Sequence, residues 1–196
     1  FALIVCVKHA NPNGDPLNGN RPRTTFDNLG EISDVAIKRK IRNRLQDMGY
    51  AIFVQSDDNR VDDYRSLRER ADAVLKGVDS NDKKEYREAA CRKWMDERAF
   101  GQVFAFKRKK GKKNEGEKDS DGVSIPVRGP VSVHSAFSVA SVLDRVSSIQ
   151  ITKSVSGETG EKRGPDTMGM KHRVDHGVYV CYGSINPQLA TKTGFS

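Results

Sequence analysis

A chain of 196 residues suits one domain, or one domain carrying a large insertion. Hydrophobic residues make up 36% and charged residues 31%, and the mean hydropathy is −0.67, so a small core must serve a very polar surface. Thirty-four Lys plus Arg against 26 Asp plus Glu leave a net charge of +8, the balance of a nucleic-acid binder, while no apolar run approaches the roughly 20 residues of a membrane span.

The opening FALIVCVKHA, residues 1–10, reads as a strand apolar on both faces and therefore expected centrally in a sheet; it is too short, and has no preceding basic region, to be a signal peptide. Residues 11–25, NPNGDPLNGNRPRTT, hold two Asn-Gly steps and read as a long structured loop. Ser33 caps a helix over residues 34–48 that closes at Gly49, with Ile37, Ile41, Leu45 and Met48 on one stripe. Two further amphipathic patterns, residues 62–77 (Tyr64, Leu67, Ala71, Leu75) and 81–98 (Tyr86, Ala90, Trp94), read as a small helical insertion. Residues 100–106 form a strand, and 107–122, KRKKGKKNEGEKDSDG, form a charged low-complexity stretch that builds no core. Strand alternation returns in 123–142 and in Ile149, Ile151 and Val155, whose opposite face carries Ser148, Gln150, Thr152 and Ser154. Residues 156–170 suit a projecting hairpin or arm, and 173–185 supply a last strand. This order is most of a ferredoxin-like β-α-β-β-α-β unit, an α+β, RRM-like class, with the final helix and strand missing.

Lys38, Arg39, Lys40, Arg42 and Arg44 put five cations into seven residues beside the apolar stripe, and residues 36–46 contain no acid to compensate them. Backbone phosphates would supply that compensation; a solvated face is the plainer alternative. The loop adds amide donors in Asn11, Asn13 and Asn20 together with Arg21 and Arg23. Lys171 and His172, with Arg173, suit phosphate contact. Walker and dinucleotide glycine motifs are absent, so no nucleotide cofactor is expected. His172 and His176 have H-x3-H spacing without a C-x2-C partner, and the three cysteines, Cys6, Cys91 and Cys181, are too far apart for a metal pair or a disulfide framework, so no metal is expected and a reducing cytoplasm is. His172 or His9 with Asp15 or Asp175 is the acid-base set that ribonuclease chemistry would need. The aromatic RNP1 string is missing, which favours tracking of the RNA backbone over base stacking.

NPNGDP with NGNRPRT, DVAIKRKIRNRL, TMGMKHRVDHGVYV and INPQLATKTGFS together resemble the backbone subunit of CRISPR Cascade complexes, closest to the I-C subtype. The resemblance runs from the first strand to residue 196, with residues 50–122 matched only loosely. It implies a hand-shaped, non-enzymatic subunit: palm halves at 1–49 and 123–196, helical fingers at 50–122 that include the lysine-rich 107–122, and a thumb near 156–170. It further implies copies stacked as a helical filament along one CRISPR RNA beside other Cascade subunits, with the guide pairing to target DNA. The implied RNA contacts are Asn11, Asn13, Asn20, Arg21, Arg23, Lys38, Arg39, Arg42, Lys153, Lys171 and His172, with Met168 as a wedge displacing a base. In this resemblance TGFS is read as the cap of a second palm helix, leaving the palm incomplete at its C-terminal end. Rival readings are a target-cleaving subunit of type III kind, using Asp15, and a stand-alone RNA-binding chaperone.

Overall fold

The computed structural model describes residues 1–106, 123–153 and 167–196. The lysine-rich stretch 107–122 and most of the expected arm therefore lie outside the described residues. In chain order the elements are β1 (Ala2–Ala10), β2 (Gly14–Asp15), β3 (Arg21–Pro22), β4 (Leu29–Ile32), α1 (Asp34–Asp47), α2 (Leu67–Val74), α3 (Lys83–Lys93) and α4 (Met95–Phe100). There follow β5 (Gly101–Phe106), β6 (Val123–Arg128), β7 (Val131–Val133), β8 (Ala136–Ser141), β9 (Val146–Lys153), β10 (Thr167–Ile185) and α5 (Pro187–Thr193). The chain divides into two compact units, residues 1–37 with 133–183, and residues 38–132 with 184–196.

The first unit is an antiparallel sheet of order β1-β10-β8-β4, with β7 and β9 also paired to the 19-residue β10. Alternation sets its faces. Val7, Gly177, Tyr179, Cys181, Ala136 and Ser138 point inward and are buried, and Ile4, Val139 and Tyr182 lie exposed on the other side. Close packing at the centre depends on Gly30: its N–H donates to Ser138 Oγ at 2.8 Å, and a Cβ there would run into the hydroxyl and ring of Tyr179. β1 corrects one expectation. Its register with β10 runs from Ala2 opposite Tyr182 to Ala10 opposite Val174, but its other edge has no partner among the described residues, so β1 is an edge strand. Among the described residues β1 pairs with one strand, and its two apolar faces are mostly exposed, with Val7 buried.

The second unit is built on Phe53, Ala71, Leu75, Tyr86, Ala90, Cys91, Trp94, Phe104, Ile125 and Val127, with the β5–β6 hairpin against the helices. Phe53 stands 4.6 Å from Trp94 and 5.2 Å from Phe104, centroid to centroid, and Tyr86 meets Phe104 edge-on at 5.4 Å. Two expected helices are shorter than their amphipathic patterns. α2 starts only at Leu67, where Ser66 Oγ accepts from Glu69 N. The second pattern breaks at Trp94, whose extended backbone (φ −117°, ψ 126°) separates α3 from α4 and lets Met95 N donate to Ala51 O at 2.9 Å. At the chain end Asn186 caps α5, with Pro187 in the first turn, and Gly194 closes it at φ 70°, so Gly194 of TGFS ends a helix rather than opening one.

Candidate nucleic-acid interface

The loop after β1 is knitted by its own polar groups. Asp15 caps a single 3₁₀ turn by accepting from Leu17 N at 3.2 Å, and the β2–β3 ladder places Asp15 opposite Arg21. Asn11 Nδ2 donates to Asn20 O at 2.7 Å, and Asn13 Oδ1 accepts from both Ser33 N and Ser33 Oγ at 2.9 Å, tying the loop to the cap of α1. Asn11 and Asn13 thus hold the loop together through their side chains. Asn20, in the left-handed region at φ 59°, and Arg21 are exposed; Arg23 is half-buried and its main chain bonds to Asn13 and Glu31. The exposed part of the loop is therefore its tip, with Arg21 as the cation.

The basic run of α1 is arranged differently. Arg42 Nε meets Asp96 Oδ2 at 3.0 Å, with Arg42 12% and Asp96 0% exposed, and the guanidinium lies 5.1 Å from the centre of the Phe100 ring. Asp96 also accepts from Phe53 N at 2.7 Å and Val54 N at 3.0 Å, so both carboxylate oxygens are hydrogen-bonded. Arg39 donates to Val54 O at 2.6 Å, and burial first, then the Arg42 charge, holds its guanidinium below the usual arginine range against the pull of Asp96. The expectation that no acid compensates these cations is therefore corrected for Arg42. The acid is Asp96, 54 residues along the chain from Arg42. The buried side of the helix takes in the Arg42 flank and leaves Met48 of the apolar stripe 59% exposed. Lys38 is half-buried, whereas Lys40 and Arg44, which the stripe did not single out, are exposed.

Beside Asp96, Glu97 is also fully buried, and neither of its carboxyl oxygens has a hydrogen-bond partner in the described structure. Desolvation, followed by the Asp96 charge, pushes its pKa up to about 8, with Arg42 opposing.

On β10, Lys171 is exposed, whereas His172 is buried and its Nδ1 pairs with Ser148 Oγ at 2.7 Å. The side chains of Lys153 and Met168 lie outside the described residues. Of the histidine and carboxylate pairings considered, the structure brings His9 to Asp175, Nδ1 to Oδ1, at 3.4 Å.

These features define a basic α+β protein with an antiparallel sheet and a cation-bearing loop at a strand end. The model of the family described as CRISPR-associated protein Cas7 matches residues 1–196, and the chain belongs to that family. A relative from Haloferax volcanii, "CRISPR-associated protein Cas7", is 31% identical over 201 residues; the alignment covers 99% of this chain and 58% of that relative, so the chain spans little more than half its length. Among solved structures, a chain of a "CRISPR RNA-guided surveillance complex, pre-nicking" aligns with a TM-score of 0.46 and 16% identity, covering 100% of this chain and 66% of the other.

Proposed function

We propose that this chain is the CRISPR RNA-binding backbone subunit of a Cascade complex of the I-C subtype: non-catalytic, cytoplasmic, repeated as a helical filament along one guide, and presenting that guide for pairing with target DNA. In this reading the sheet with α1 is a ferredoxin-like palm, the helical unit supplies the fingers, and the arm near 156–170 is the thumb. Family membership across residues 1–196 is the observation that carries it. The charge distribution supports it, because a protein that grips the sugar-phosphate chain needs exposed cations and amides without a base-stacking platform. Among the implied residues, Asn20, Arg21, Lys38 and Lys171 would face the backbone, together with Lys153 at the end of β9 and Met168 of the arm. Asn11, Asn13, Arg39, Arg42 and His172 would then act by shaping the surfaces beneath, given the internal bonds they make. Asp15, the candidate for a target-cleaving subunit, accepts from Leu17 N and so has a structural part in the turn.

The test is purification of the protein from its native host without nuclease, followed by sequencing of the accompanying nucleic acid. Short RNAs of uniform length with repeat-derived ends are expected. Mixed cellular RNA, or none, overturns the reading in favour of a stand-alone RNA-binding protein.

A further inference from the structure

Within the first unit, β10 is flanked at Val174 by β1 on one edge, through Ala10, and by β9 on the other, through Val146. Next to this crossing four side chains from the three strands converge. Asp175 Oδ1 accepts from Ser147 Oγ at 2.8 Å and lies 3.4 Å from His9 Nδ1; Arg173 Nε donates to Ser147 Oγ at 3.1 Å and lies 3.4 Å from Asp175 Oδ1. The Ser147 hydrogen bond first, opposed by desolvation and then aided by His9 and Arg173, holds the Asp175 carboxyl below its usual range. Asp175 is therefore an ionised acceptor at neutral pH.

His9 adopts φ 50°, the left-handed region, at the step where β1 enters the Asn-rich loop. A non-glycine residue persists in that conformation where its surroundings hold it, and such outliers cluster at binding sites. The partner across from Nδ1 also fixes the ring's chemistry. A carboxylate only accepts, so Nδ1 carries the hydrogen, and in the neutral ring Nε2 is then the acceptor. With the His9 side chain 54% exposed, the neutral ring can offer that acceptor to a ligand near the guanidinium of Arg173, which contacts the same Asp175 oxygen.

An acceptor beside a cationic fork is the complement of a ribonucleotide. The ribose 2′-hydroxyl is the donor that DNA lacks, and phosphate oxygens accept from guanidinium. We propose that His9, held by Asp175, accepts a hydrogen bond from a ribose 2′-hydroxyl while Arg173 meets the adjoining phosphate, so that this cluster sets a preference for RNA over DNA. The inference rests on the RNA-backbone reading above and adds a specificity determinant to it.

The experiment compares the intact chain's affinity for one oligonucleotide sequence made as RNA, as 2′-fluoro RNA and as DNA. The fluoro analogue keeps the ribose pucker of RNA but has no donor. RNA is expected to bind about fivefold more tightly than the other two, the worth of one net hydrogen bond. His9→Gly suits the positive φ and should bring RNA down to the level of the fluoro analogue. Asp175→Asn, which still accepts from Nδ1, should retain part of the preference. Equal binding of RNA and its fluoro analogue by the wild-type chain overturns the inference and leaves the RNA-backbone reading standing. So does an equal loss on all three ligands in His9→Gly, which would mark His9 as a phosphate contact or a structural residue. A wild-type chain that binds none of the three overturns the RNA-backbone reading and this inference with it.

Discussion

The arginines of α1 and the arginine at the tip of the loop after β1 look equivalent as sequence, and the fold uses them in opposite ways. Arg39 and Arg42 are drawn inward, one onto Val54 O and the other onto a buried carboxylate. Arg21 stays exposed on a ladder two residues long. The comparison teaches that local charge density does not locate a binding surface, because a cation is spent wherever a distant acid reaches it. Burying an ion pair is costly unless every lone pair is used. Asp96 approaches that condition, with two main-chain N–H groups and Arg42 shared over both oxygens, which makes it a tie between the basic helix, the 53–54 segment and α4 within the second unit.

The largest effect should come from removing that tie. Asp96→Ala leaves Arg42 charged and buried with two main-chain donors unpaired, and should cost about 3–5 kcal/mol in denaturant unfolding. Asp96→Asn should cost less, since its amide oxygen can still accept. A loss under about 1 kcal/mol in Asp96→Ala would mean that water reaches Arg42 and that its charge is available after all.

Glu97 sharpens the same contrast through pH. Its folded pKa of about 8 lies above the roughly 4.3 of an unfolded glutamate, so the folded chain binds the proton more tightly. The stability associated with the neutral carboxyl is fully present below about pH 4.3 and is lost as pH rises through about 8. Wild type should therefore weaken between roughly pH 5 and 8 by on the order of a few kcal/mol, and Glu97→Gln should flatten that slope. Parallel pH profiles for the two proteins in urea unfolding would show that the carboxyl is hydrated.

How much of this could be read from the sequence depends on whether the cause is local. Ser33 and Gly49 bound α1 correctly because caps act within one turn, and Tyr86, Ala90 and Trp94 reached the core because helical periodicity marks them. The start of α2 was missed by the 62–77 pattern, although a local signal for it was present. Ser66 and Glu69 have the S-x-x-E spacing of a capping pair, and here Glu69 reaches back to Arg65 N at 2.8 Å. The break at Trp94 was not legible, since it goes with Met95 pairing to Ala51, a partner far away in the sequence. The burial of Arg42 was hidden for the same reason. The apolar stripe placed Lys38, Arg39 and Arg42 on a solvent flank, and only Asp96, remote in sequence, turns that flank inward. In the loop, Asn-Gly steps announced a structured connection, but which amides would be used internally depended on Ser33 and on the main chain at Asn20.

The sheet gives a third and smaller test, independent of charge. Gly30→Ala places a methyl against the Tyr179 ring, 2.8 Å from Cε1, in a site where Tyr179 is wholly buried. Overpacking of this kind should cost about 1–3 kcal/mol by thermal or denaturant unfolding. Because the clash lies in the first unit, the loss should not change the pH slope assigned to Glu97. A variant as stable as wild type would mean that Tyr179 has another place to go.

The smallest effect returns to the two kinds of arginine and is the one that separates them. Each phosphate contact releases condensed counterions, so the slope of log affinity against log salt on single-stranded RNA falls by roughly 0.7 for every cation lost. Arg21→Gln should lower that slope by about one contact and weaken binding alike across RNA sequences, leaving the unfolding midpoint within about 0.5 kcal/mol of wild type. Arg42→Gln should do the reverse: it leaves Asp96 short of a partner, so stability falls, while the salt slope of whatever protein remains folded is unchanged. If Arg42→Gln flattens the slope as much as Arg21→Gln does, the buried pair opens on RNA and the helix presents its charge after all. In that case the difference between the two arginines belongs to the free protein alone.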